Sequence, residues 1–375
     1  MLRNLLDKAE KIILSNDKLK KFHPLHDALD TFLYSTNTQT SKAPYVRDSI
    51  DLKRTMIIVV LALLPAFFFG IYNVGLQSSD VLDKNFINCF LYGLKIVLPM
   101  YLVVFVAGGL FEALFAVMRG HEINEGFLVT GFLIPLTMPP TVPLWMLAVA
   151  TIFGVVIGKE IFGGTGYNIF NPALTARAFL FFSYPSKMSG NIPWISPIDS
   201  MTTATPLLAK SSNLDISYTY MDMFYGFIPG SIGETSTLAI LIGGLILLIT
   251  KIGSWRIMFS TCLGMIITSL LLNQLTSISD NPMLKLNALQ HFVMGGFAFG
   301  MVFMATDPVS SAHTDKGRWI YGFIIGFMVV VIRSINPAYP EGMMLAILFA
   351  NAFSPLIDYS VLQNHIKKRK LQYEK

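Results

Sequence analysis

Residues 291–308 read His291-Phe292-Val293-Met294-Gly295-Gly296-Phe297-Ala298-Phe299-Gly300-Met301-Val302-Phe303-Met304-Ala305-Thr306-Asp307-Pro308, an apolar run of fifteen residues stopped by a Thr-Asp-Pro turn. As a helix the run covers about 22 Å, short of the roughly 30 Å of a bilayer's hydrocarbon core. Another short run opens behind Asn336-Pro337-Ala338. The same punctuation occurs earlier, where Thr137-Met138-Pro139 closes a short run, Asn171-Pro172-Ala173 opens another, and Trp145 stands where Trp319 stands later. The offsets, 169 residues for the first pair and 165 for the second, mark two copies of one unit.

Ten apolar segments follow from this frame: 56–75, 96–118, 126–138, 143–157, 173–184, 236–249, 257–272, 291–305, 319–332 and 342–356. Five per copy is an odd number, so the second copy enters the membrane inverted. Short segments interrupted by Gly and Pro at matching places mark half-helices that meet near the midplane, where ions or substrates are handled; ordinary spans joined by turns are the plainer alternative. The expected fold is an all-α polytopic membrane protein with about ten transmembrane helices in two inverted five-helix repeats.

Composition agrees. Of 375 residues, 14% are charged and 53% hydrophobic, and the mean hydropathy is +0.56. Soluble domains carry about 25% charged residues, so lipid has to solvate most of this surface, and soluble catalytic folds are excluded. Aromatic content of 13% excludes a disordered chain. Cys89 and Cys262, the two cysteines, cannot build a disulfide framework or a four-thiolate metal site. The net charge of +5 reflects orientation and not a nucleic-acid partner: with the N-terminus inside, twenty-one Lys and Arg fall at inside loops and four, Lys84, Lys187, Lys210 and Lys285, outside. Both termini are expected inside. The chain divides into an inside arm (1–54), a first repeat (55–184), an outside segment (185–235), a second repeat (236–358) and a basic inside tail (359–375).

Several motifs carry candidate chemistry. In Asp199-Ser200-Met201-Thr202-Thr203-Ala204-Thr205 the small Ala204 leaves the Thr205 hydroxyl accessible to a bulky phosphate donor, although hydroxyl-rich loops are common. Pro229-Gly230-Ser231-Ile232-Gly233-Glu234 leads into a helix start and offers backbone N–H groups to an anion, or is a plain cap. Gly163-Gly164-Thr165-Gly166 follows an apolar segment and not a strand, which argues against a dinucleotide fold. It exposes Asn168 and Asn171, whose amides offer donors and acceptors to a ligand or serve as helix breakers. Gly108-Gly109 has the pattern of a helix-packing notch. Glu112, Asp307 and Asp358 are intramembrane acids suited to a hard cation, or to pairing with Arg177 or Arg333, and Glu341 suits a cap for the last half-helix.

Seven blocks in order, 46–54, Asn124-Glu125-Gly126-Phe127, Phe162-Gly163-Gly164-Thr165-Gly166, Asn171-Pro172-Ala173-Leu174, 229–234, 305–309 and 336–342, give the chain a resemblance over nearly its full length to the NqrB/RnfD family. The resemblance implies a membrane subunit of a sodium-pumping NADH:ubiquinone oxidoreductase in the bacterial inner membrane. It implies five partner subunits (NqrA, NqrC, NqrD, NqrE and NqrF), ubiquinone or menaquinone, Na+, and a periplasmic flavin transferase. FMN would be joined by a phosphoester to the last Thr of Thr202-Thr203-Ala204-Thr205, in which Thr203 replaces the family's usual Gly. Non-covalent riboflavin would lie in the first half, with Asn168, Asn171 and Thr130 as candidates, and quinone at Gly108-Gly109; Asp307, Asp358 and Glu112 would mark the Na+ path. NADH and any iron–sulfur cluster would be bound by other subunits. Two rivals stand beside this reading, an RnfD-like subunit of a ferredoxin-linked pump and a flavin-free channel or transporter. The arm and the 46–54 block favour the NADH-linked branch.

Overall fold

The computed structural model describes residues 2–16, 52–120, 126–190, 194–195, 205–213, 218–277, 281–335 and 340–373, with isolated positions 19, 23, 26, 30 and 43. All regular elements among them are helical. Among the described residues six helices are long and apolar enough to cross a membrane, and two further apolar helices are shorter. Residues 46–51, Asn124, Glu125, the stretch 199–204 and the second Asn-Pro-Ala at 336–338 lie outside the described residues.

Helix α1 (Leu2–Ser15) lies in the arm. The first repeat comprises α2 (Leu52–Gln77), α3 (Phe86–Arg119), α4 (Gly126–Leu136), α5 (Leu144–Val156) and α6 (Pro172–Ser183). The second comprises α7 (Thr237–Ile249), α8 (Trp255–Asn273), a broken third element that starts with α9 (Ala288–Val293), then α10 (Asp315–Ile335) and α11 (Met343–Tyr373). Pairing repeats between the copies: α3 packs on α5 as α8 packs on α10, and α5 on α6 as α10 on α11. Between copies, α2 packs on α7 and α6 on α11, first element on first and last on last. A β-carbon at Gly70 would collide with Ile232 ahead of α7, and one at Gly243 with Ala62 on α2. Positions rise on α2 as they fall on α7, so the two equivalent helices are antiparallel, as inversion requires.

Glycine makes these approaches possible. Gly93 faces the Ile71 carbonyl across α2–α3, Gly264 the Phe323 carbonyl across α8–α10, and Gly154 the Pro172 carbonyl across α5–α6, each too close for a side chain. With lipid outside, close backbone packing holds helices together where the hydrophobic effect cannot. One apolar core cluster runs through both repeats, with Ile134, Leu147, Leu174, Phe297, Phe299 and Tyr321 almost fully enclosed.

Three boundaries differ from the sequence reading. Helix α3 starts at Phe86, ten residues before the apolar run at 96, because Phe86-Ile87-Asn88-Cys89-Phe90-Leu91 continues the apolar pattern on the far side of Lys95. Helix α11 runs to Tyr373, so the basic tail continues the last span; beyond Pro355 nothing breaks the helix, and Lys, Leu, Gln and Arg are good helix formers. The run 291–305 is not one helix: α9 ends at Val293, Gly295 adopts φ 65°, and the chain re-forms a helical turn at Phe297 before widening into a π-helix at Gly300–Met304.

Candidate functional site

Helix α6 organises the site. Asn171 caps it, its side-chain oxygen accepting from Ala173 N (3.0 Å) and Leu174 N (3.3 Å), while Pro172 occupies the first turn where no N–H is needed. The helix has 12 residues; one cavity lies against its start, and a second lies against Arg177 and Phe181 further along it.

The first cavity is lined by Thr130, Lys159, Asn168, Asn171 and Asp307 together with apolar residues of α2 and α4. Three residues expected to hold riboflavin thus meet in one space, and one acid expected on the cation path joins them. Asp307 is held by Ser310 Oγ (2.8 Å) and Val309 N (3.2 Å) in its own turn, and Asn171 Nδ2 donates to its Oδ2 (3.3 Å) across the repeat boundary. Asn168 Nδ2 donates to the Phe170 carbonyl (3.0 Å), and Thr130 Oγ1 donates to the Gly126 carbonyl (3.3 Å). Asn171 is therefore both a helix cap and a wall of the cavity.

Lys159, which the topology reading treats as a loop charge, is only 2% exposed. Its ammonium donates to Glu112 Oε1 (2.7 Å) and lies 3.9 Å from Glu160 Oε1. Glu112 accordingly has a buried counter-ion, which is Lys159 and neither of the two arginines considered from sequence. The signal was the Lys159-Glu160 pair directly ahead of the Gly-rich turn, an odd place for solvated charges.

The second cavity is lined by Thr205, Arg177, Glu234, Glu341, Trp194 and Thr235 among others. The Thr205 hydroxyl accepts from Leu208 N (3.3 Å) at the start of a short helix, Pro206–Ser211. Arg177, projecting from α6, bonds both carboxylate oxygens of Glu234, with Nη2 to Oε2 at 3.2 Å, and also Glu341 Oε2 at 2.8 Å.

Pro229, Gly230, Ser231 and Glu234 line the second cavity. Three N–H groups of the stretch 229–234 are taken up by carbonyls: Ile232 N donates to the Met138 carbonyl (3.3 Å), Gly233 N to the Leu136 carbonyl (2.7 Å) and Glu234 N to the Ser231 carbonyl (3.2 Å). The cap of α7 is Ser236. Glu341 likewise does not cap α11 with its carboxylate, whose Oε1 accepts from Gly296 N (2.5 Å) in the unwound part of the broken element.

Gly108 and Gly109 part company. A β-carbon at Gly108 would run into the Phe127 ring and come 3.1 Å from the Thr151 methyl, whereas at Gly109 the nearest atom is Phe127 Cε1 at 3.8 Å. Asp358, on α11, accepts from His313 N (2.7 Å), Thr314 N (3.0 Å) and Thr314 Oγ1 (2.5 Å), fastening α11 to the turn that starts α10. Arg333, fully buried, donates to the carbonyls of His291 (2.7 Å), Met294 (3.0 Å) and Glu341 (2.9 Å). It satisfies the oxygens that the helix break sets free, a role that sequence alone did not reveal.

Comparison with known proteins follows the same lines. The B subunit of the Na(+)-translocating NADH-quinone reductase from Pseudomonas paraeruginosa is 52% identical, the match covering 98% of each chain. Proteins of the same name from Chromohalobacter salexigens (50% identical, 98% of this chain and 96% of the relative) and Yersinia pestis (48% identical, the full length of both) are similar throughout. The profile of the NQR2, RnfD, RnfE family matches residues 39–367, and with two inverted five-helix units closing around paired cavities, this chain belongs to that family.

Proposed function

We propose that this chain is the NqrB-type subunit of a sodium-translocating NADH:quinone oxidoreductase, set in the bacterial inner membrane with both termini inside and assembled with the five other subunits of the pump. The observation that carries this reading is the pair of cavities on α6, each lined by residues that the family resemblance names for a flavin. Thr205 offers its hydroxyl oxygen for the phosphoester to FMN, and Arg177 supplies a cation on the wall of the same cavity. Asn168, Asn171 and Thr130 supply amide and hydroxyl groups for riboflavin in the other. Bound flavins supply one- and two-electron redox chemistry; the chain supplies position and field.

Asn171 and Arg177 are six positions apart on one helix, about 9 Å along its axis. Two ring systems at these two positions would therefore be neighbours along α6, and electrons would cross a single rigid element. Gly109 leaves an open place on α3 for a quinone ring. Asp307 puts a carboxylate between the repeats, where Na+, the cargo, would be met by a charge that the first repeat replaces with Met138.

The test is a denaturing gel. The band of the wild-type chain, made in cells that hold the flavin transferase, should fluoresce as a flavin, and that of Thr205→Ala should not. A dark wild-type band would favour a channel or transporter; a fluorescent Thr205→Ala band would move the anchor to Thr202, Thr203 or Thr235.

A further inference from the structure

At one end of α7 and α8 the loop between them forms a recess of about 930 Å³, lined by Lys251, Ser254, Arg256 and Arg318. Asp315 neutralises part of this charge, 2.9 Å from Arg256 and 3.7 Å from Arg318, and leaves the recess with a surplus of positive groups. The Ser254 hydroxyl oxygen is buried without a hydrogen-bond partner, although Ser254 stands at the start of the 19-residue helix α8. Three cations against one carboxylate make the recess a place for an anion.

The recess does not end there. Leu248 and Trp255 also line a second, apolar groove of about 820 Å³, which runs between α7 and α8 over Leu241, Leu245, Met258 and Phe259 to the broken element of the second repeat. The indole of Trp255 is 53% exposed at the junction of the two and packs edge-on against Trp319 (5.7 Å between ring centroids). Basic groups at one end, an aromatic belt and an apolar trough have the sequence of environments found along a phospholipid: phosphate, glycerol ester, acyl chain.

We infer that the recess and groove hold one anionic diacyl phospholipid, with its phosphate among Lys251, Arg256, Arg318 and Ser254 and an acyl chain lying in the groove against the broken element. Charge complementarity selects this occupant. A zwitterionic lipid brings its own cation into a recess already positive, and a free anion leaves the apolar trough unfilled.

The full chain, with Trp145→Phe and Trp194→Phe to isolate the signal of Trp255 and Trp319, is reconstituted into phosphatidylcholine vesicles containing a minority of phosphatidylglycerol. Dibrominated acyl chains are placed on one lipid or the other, and tryptophan quenching is read. Per mole, brominated phosphatidylglycerol should quench more strongly than brominated phosphatidylcholine. In Lys251→Gln, Arg318→Gln the preference should collapse, each charge being worth roughly fivefold in relative affinity. Equal quenching by both lipids in the unsubstituted recess overturns the proposal whether or not the variants fold. So does a preference unchanged in the double variant, or one abolished by inorganic phosphate but not by chloride at matched ionic strength, which would mark a site for the free anion.

Discussion

At Gly108 any side chain must displace the Phe127 ring, while at Gly109 there is room. The two positions therefore separate packing from binding. Gly108→Leu should lower the yield of folded chain, overpacking costing about 1–3 kcal/mol or more. Gly109→Leu should leave the fold and flavin reduction by NADH intact and impair quinone reduction; if flavin reduction fails as well, the slot is structural. The intramembrane acids separate in the same way. Removing the ammonium in Lys159→Met strands the Glu112 carboxylate in the core, and a broken buried pair costs about 3–5 kcal/mol. The variant should be hard to assemble, with Lys159→Met, Glu112→Gln recovering much of the yield. Asp307→Asn keeps size and bonding to Ser310 and Val309, so flavin content should hold while the sodium concentration for half-maximal turnover rises. Wild-type sodium dependence in that variant would make Asp307 a turn-capping residue and nothing more. Sequence reading finds Asp307 and Asn171 because each begins or ends an interrupted segment. It misses Lys159 because a charge flanking an apolar run looks the same whether it points to water or inward.

The broken third element of the second repeat shows what a break requires. Two glycines and a π-turn free the carbonyls of His291 and Met294, and one guanidinium from α10 collects them, with the Glu341 carbonyl. Arg333→Met leaves three oxygens without that donor, each costing about 1–3 kcal/mol when unsatisfied. Its thermal unfolding midpoint in detergent should fall markedly, whereas Lys367→Met on the exposed end of α11 should change nothing. Equal midpoints would mean that the break is satisfied some other way. The shortness of the run and its Gly-Gly pair make a broken helix legible from sequence. The residue that stabilises it lies 39 positions beyond Met294, and only the fold brings such partners together. Helix α6 teaches the converse: Asn-Pro at its start announces a capped helix, but that its start and its body face two different cavities is a property of the packing around it.

The inverted pair of five-helix units is the part of the molecule that sequence states most openly, through matched turns at 137 and 306 and the odd number of segments between them. Antiparallel α2 and α7 and the recurring helix pairs answer that expectation. The cavities are less legible, because Thr205 and Arg177, or Thr130 and Asp307, are remote in the chain and meet only when the copies close on each other. Two flavins held beside α6, one at its start and one along its body, is the central claim, and acid precipitation of the purified chain tests it by separating covalent from released flavin. The wild type should carry FMN in the pellet and riboflavin in the supernatant. Thr205→Ala should lose the pellet flavin alone, and Asn168→Leu, whose amide bonds only locally to Phe170 in the first cavity, should lose the supernatant flavin alone. Both flavins lost together in either variant, or both retained in both, would contradict two separate sites on one helix.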